Sequence, residues 1–132
     1  MLEAKNLMVG DWVIRKGIPQ EPMQIAGLNT WKGLVYMDFT GLAITEKIEN
    51  IEPIPLTEEI IKNNDFHFNG LAYIGSVIDL TKSYASPGCW KCGKFYTAGH
   101  GDPDFTTFCV IRYVHELQHV LKLCRITKEV IL

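Results

Sequence analysis

The sequence predicts an α+β protein, mostly β: a small N-terminal barrel-like β module, followed by a β-sheet packed with one C-terminal helix over residues 113–124. Three observations carry this expectation. Short β-favouring runs separated by glycine-containing breaks fill residues 9–54, a spacing that suits a small curled sheet or barrel. The prolines Pro53 and Pro55 interrupt the chain before a second set of β-favouring runs begins. Near the end, Val114, Leu117, Val120, Leu121 and Cys124 gather into one apolar stripe when the chain is wound as a helix.

Taken in order, residues 11–15, 23–28, 33–39, 42–45 and 48–54 read as strands, with turns at Lys16-Gly17-Ile18-Pro19, Asn29-Thr30 and Thr40-Gly41. Pro53 and Pro55 each lack an amide donor and hold the preceding residue extended, so they close this module as a stiff joint. Residues 57–64 then predict a short helix, with Thr57 as N-cap, Glu58 and Glu59 in the first turn, Lys62 near the end and Asn64 as a left-handed terminator. The resulting division is 1–56 for the barrel-like module and 57–132 for the α+β module, expected to fold as one cooperative unit. In the second module, Asn69-Gly70 signals a hairpin between residues 66–68 and a strand within 71–80. Residues 106–112 alternate in strand fashion and feed the 113–124 helix, and 128–132 read as a final strand.

The bulk numbers fit an ordinary globular chain: 132 residues, 47% hydrophobic and 21% charged. A net charge of −2, with the 13 basic residues scattered, creates no field that would attract nucleic acid. Glu3 lies near a start that lacks the apolar core of an export signal, and no run approaches the roughly 18 apolar residues of a membrane span. The expectation is a cytoplasmic protein with no membrane association, in which Cys89, Cys92, Cys109 and Cys124 stay reduced.

Two constellations could carry chemistry. His115-Glu116-Leu117-Gln118-His119 has the spacing of the zinc motif H-E-x-x-H, in which two imidazoles one helical turn apart hold the metal and the glutamate acts as general base. The plainer reading is a solvated polar face, shared with Gln118 and Lys122. The longer form of the motif would place a glycine at Lys122 and a third histidine at Arg125, and too few residues follow for a separate glutamate ligand. Cys89-x-x-Cys92-Gly93 resembles half a zinc knuckle set in a turn, with His115/His119 or His100/Cys109 as the remaining candidate ligands. An upstream ligand for the helix pair would come from His100, Asp102 or Asp104. Trp12, Trp31, Tyr36 and Phe39 could form an aromatic surface on the first module, although such residues more often fill a small core. Gly99-His100-Gly101-Asp102 could bind an anion, against the plainer reading of a hairpin connection.

The stretches Val9-Gly10-Asp11-Trp12-Val13, Ile51-Glu52-Pro53-Ile54-Pro55-Leu56-Thr57-Glu58-Glu59-Ile60 and Tyr113-Val114-His115-Glu116-Leu117-Gln118 are similar, in that order, to a family of short proteins of unassigned function from gut Bacteroides-type bacteria and their prophages. The resemblance implies a β-barrel entry, the proline joint and a strand running into the helix. It also implies that asparagine often stands at the position of His119, which tells against zinc as shared chemistry. The Cys89/Cys92 pair lies outside the resembling stretches. The functional expectation is an intracellular interaction or accessory module of a mobile element, without cofactor or catalysis and acting on an unknown protein partner. The alternative is a minimal zinc-dependent hydrolase using His115, His119 and Glu116.

Overall fold

Turn chemistry sets the first sheet. In the computed structural model, which describes residues 6–97, 103–124 and 129–132, strands β1 (Trp12–Arg15), β2 (Ile18–Asn29), β3 (Leu34–Phe39), β4 (Leu42–Lys47) and β5 (Ile51–Pro53) pair antiparallel in the order β4-β3-β2-β1-β5. The β3–β4 hairpin turns on Thr40 and Gly41, both at positive φ (49° and 87°). That is the backbone of a type I′ turn, whose twist matches the strands it joins. The β1–β2 turn likewise places Gly17 at φ 81°. At the entry, Gly10 (φ 95°) lets the chain double back, and the buried carboxylate of Asp11 accepts the Met8 N–H at 2.8 Å.

The expected barrel does not form. The sheet is open, with β4 and β5 as its two ends. Closure needs the end strands to pair with each other, and β5 is only three residues long, ends in a proline that lacks a donor, and is already paired to β1. β4 exposes four of its six residues and half-buries the other two, so it presents no second buried face. The irregularities between Val13 and Arg15 and between Ile25 and Gly27 bend the strands, and the core of this sheet is Leu7, Val13, Met23, Ile25, Val35, Met37 and Ile51.

The chain divides into two units, Met1–Ile54 with Tyr113–His115, and Pro55–Arg112 with Glu116–Leu132. Tyr113–His115 joins the first unit, where Val114 N–H donates to Ile54 O at 2.8 Å. The second unit holds α1 (Glu58–Asn63), β6 (His67–Phe68), β7 (Tyr73–Ile74), β8 (Asp79–Lys82), β9 (Trp90–Thr97), β10 (Pro103–Ile111) and most of α2 (Val114–Leu123). Its strands form an antiparallel meander, β10-β9-β8-β7-β6. Thr57 caps α1 as its sequence predicts, accepting the Ile60 N–H at 3.3 Å. The left-handed residue beyond α1 is Asp65 (φ 65°), whereas Asn64 has φ −113°.

The expected strand over 71–80 is broken in two. The buried carboxylate of Asp79 accepts Gly75 N–H at 3.1 Å and Phe95 N–H at 2.8 Å, and this pins a turn between β7 and β8. A Cβ on Gly75 would collide with the Ile78 carbonyl and the Phe66 ring, so only glycine fits there. Residues 129–132 form no strand. Instead the buried Asn64 amide takes a strand's role: its Oδ1 accepts Ile131 N–H and its Nδ2 donates to Ile131 O, each at 2.8 Å.

Candidate functional site

The α2 helix covers the expected span, and its stripe is buried at Val114, Leu117 and Leu121, while Val120 and Cys124 are half-buried. The polar face differs from expectation. His115 is only 4% exposed and stacks parallel to Tyr113, with ring centroids 5.9 Å apart, while His119 and Gln118 are half-buried and Lys122 is exposed. Glu116 Oε1 accepts the Arg112 N–H at 2.9 Å, so the carboxylate caps the helix start at the exit of β10.

The half-knuckle reading fails on strand geometry. Cys92 lies inside β9 and not in a turn, with Cys89 just before the strand. Three residues apart along an extended chain, the two side chains leave on opposite faces. Cys89 Sγ accepts from Arg112 Nη2 at 3.2 Å, whereas Cys92 is buried and directly opposed by Cys109 on β10. Burial pushes the Cys92 thiol well above its usual range, and the neighbouring Cys109 thiol adds to the shift. Among the described residues no group of three or more His, Cys, Asp or Glu side chains could hold a metal ion, so the zinc expectation for Cys89, Cys92, His115 and His119 finds no assembled site. His100, Asp102 and the Gly99–Asp102 turn lie outside the described residues; Asp104 instead accepts from the Tyr96 hydroxyl at 2.7 Å. Of the four aromatic residues singled out on the first module, Phe39 packs on the core and Trp12 is half-buried, whereas Trp31 and Tyr36 are exposed.

A different site emerges around β8. Glu58 in the first turn of α1 pairs with Lys82 at the end of β8, and the Tyr73 hydroxyl donates to the same carboxylate. The Lys82 ammonium, then the Tyr73 hydroxyl, holds the Glu58 carboxyl below its ordinary range, and Glu58 in return raises Lys82. Burial, then the Glu58 carboxylate, raises the Tyr73 phenol. Behind the pair, Tyr73 packs edge-on against Trp90 (5.6 Å) and tilted against Phe68 (4.8 Å), while Trp90 Nε1 donates to Leu56 O at 3.1 Å. The floor is therefore rigid, made of aromatic groups whose polar atoms are satisfied.

The rim mixes apolar and charged side chains. Phe68 (54% exposed), Leu71 (58%) and Tyr84 (92%) stand around a 400 Å³ cleft together with Glu58, Lys62 and Lys82. The hairpin tip that carries Leu71 is fixed by Asn69 Oδ1, which accepts the amides of Leu71 and Ala72, and by Gly70 at φ 97°. A second cleft of 380 Å³, bounded by Leu56, Pro87, Cys89 and Trp90, shares Lys82 and Tyr84 with the first. The two clefts meet at Lys82 and Tyr84, at the end of β8. Sequence reasoning missed this site because its residues come from α1, β6, β7, β8 and the following loop, and no fixed spacing connects them; the Asn69-Gly70 signal located only its hairpin tip.

Among the described residues, no helix is long and apolar enough to cross a membrane. The chain matches no protein-family model, no curated protein and no solved structure.

Proposed function

We propose that the chain is an interaction module whose clefts at the end of β8 bind an extended peptide segment of a partner protein, one that presents an acidic residue beside an aromatic or aliphatic one. The observation that carries this reading is the exposure of Phe68, Leu71 and Tyr84 around a preformed cleft that also holds two lysines. Exposed aromatics grouped on a rigid floor are the usual anchors of an interface. Glu58 neutralises one of Lys62 and Lys82, so the cleft keeps one net positive charge that selects for a carboxylate. The resemblance of the three stretches to short prophage-associated proteins supports an accessory role in a mobile element.

The test is a chemical-shift titration of the full chain with a peptide alternating glutamate and phenylalanine, beside a control in which lysine replaces each glutamate. The acidic peptide should shift the amides of residues 68–74 and 81–90, and the basic control should not. Tyr84→Ala should weaken binding about tenfold, the usual effect of removing one aromatic anchor, with no loss of melting temperature. Shifts confined to other residues, or equal binding of both peptides, would overturn the proposal.

A further inference from the structure

We propose that Cys92 and Cys109 form a dithiol site that undergoes exchange with a low-molecular-weight disulfide such as oxidised glutathione, closing an internal cross-strand disulfide between β9 and β10. The two residues are register partners in the antiparallel ladder. Directly opposed residues of such a ladder project to the same face with Cα atoms about 4.5–5.5 Å apart, inside the roughly 4.4–6.8 Å that a disulfide spans. The two thiols are near enough for Cys109 to act on the ionisation of Cys92. The adjacent Gly93 leaves no room for a side chain, because a Cβ there would collide with the Thr106 carbonyl of β10. The pairing depends on the irregularity between Thr107 and Cys109, which resets the register so that Cys109 faces Cys92.

The two sulfurs have different roles. Cys109 is half-buried and meets the reagent, whereas Cys92 is 1% exposed and kept protonated by its burial. The Cys109 thiolate attacks one sulfur of oxidised glutathione; the glutathione S–S bond breaks, a Cys109–glutathione disulfide forms, and the departing thiolate takes up a proton. The Cys92 thiol then gives its proton to solvent, its thiolate attacks Cys109 Sγ, and the second glutathione leaves and is protonated. Two protein thiols are oxidised and one glutathione disulfide is reduced to two glutathiones. The slow step is the second, because Cys92 must ionise within the sheet.

Each cysteine lies on its own tryptic peptide, residues 83–91, 92–94, 95–112 and 123–125, so the linkage can be read directly. The reduced full-length chain is incubated with oxidised glutathione, then denatured, alkylated and digested without reductant. The expected product is peptide 92–94 joined to peptide 95–112, with a mass two hydrogens below the sum of the free peptides. Cys92→Ala should instead leave a lasting glutathione adduct on Cys109, and Cys109→Ser should leave Cys92 unmodified. Cys124 also lies near enough for its charge to act on Cys92, so a link between 92–94 and 123–125 would overturn the proposal. A link between 83–91 and 92–94, or glutathione on Cys92 in the Cys109→Ser variant, would overturn it as well.

Discussion

Thr40 is a β-branched residue held at φ 49° in a turn that calls for asparagine, aspartate or glycine. Thr40→Asn should therefore stabilise the protein by about 1 kcal/mol, the scale of the left-handed penalty for an ordinary side chain, read as a higher urea midpoint at unchanged slope. Glu58 supplies a second test at this scale. Its folded carboxyl lies below the ordinary value of 4.5 because of Lys82 and Tyr73, so its contribution is fully present above 4.5 and disappears as pH falls through the lowered folded value. Wild type should melt higher than Glu58→Gln at neutral pH, and the two curves should converge under strongly acidic conditions. Persistence of the gap in acid would show that the pair contributes through shape and not charge. Several residue roles were legible in the sequence: Thr57 as a cap and Gly17, Gly41 and Gly70 as turn formers. Each is a local matter of side-chain and backbone chemistry. The partner of Cys92 was not, since it lies 17 positions away in register with a strand whose irregularity no spacing rule reveals.

Whole elements were read well where one periodic signal dominates. The 113–124 stripe produced α2 (Val114–Leu123), and 57–64 produced α1 (Glu58–Asn63). The solvated-face reading of α2 failed at His115 because burial on a helix is decided by what packs against it, and Tyr113–His115 clusters with the first sheet. Leu117 is fully buried, so Leu117→Ala should cost about 2–5 kcal/mol through lost burial and the cavity left behind. His119→Asn, at a half-buried position, should change stability by less than about 0.5 kcal/mol. Thermal or urea unfolding of the two variants side by side measures the contrast, and a large loss from His119→Asn would assign that ring a structural role. The 71–80 run shows the opposite failure: its β-favouring composition was read correctly, but the Asp79 carboxylate and the crowded Gly75 fold it into two strands and a turn.

At the scale of the molecule, composition and runs indicated two β-rich parts, but sheet closure did not follow, because it depends on pairing between strands distant in sequence. A three-residue β5 ending in Pro53 cannot reach across to β4. The site proposed for peptide binding is likewise a product of assembly, since α1 supplies the carboxylate, β8 the lysine and a hairpin tip the apolar rim. The same dependence on distant residues appears at the other end of the chain. Because both Ile131 backbone groups dock on one side-chain amide, the last residues should behave as a ratchet against exopeptidases. In a chain that ends at Leu132, carboxypeptidase must attack the Ile131 carbonyl to release that residue, and Asn64 Nδ2 holds this carbonyl, so trimming should stall before Leu132 is lost. Once Ile131 is lost, the buried Asn64 amide keeps only its bond to Ile60 O and its Oδ1 loses the Ile131 N–H, which costs about 1–3 kcal/mol. A mass-spectrometric time course should thus show a long-lived species that still carries Leu132, followed by collective digestion. Smooth residue-by-residue trimming would mean that the last residues are not held by Asn64. A fusion placed beyond Leu132 leaves this docking intact, whereas a truncation made two residues earlier does not.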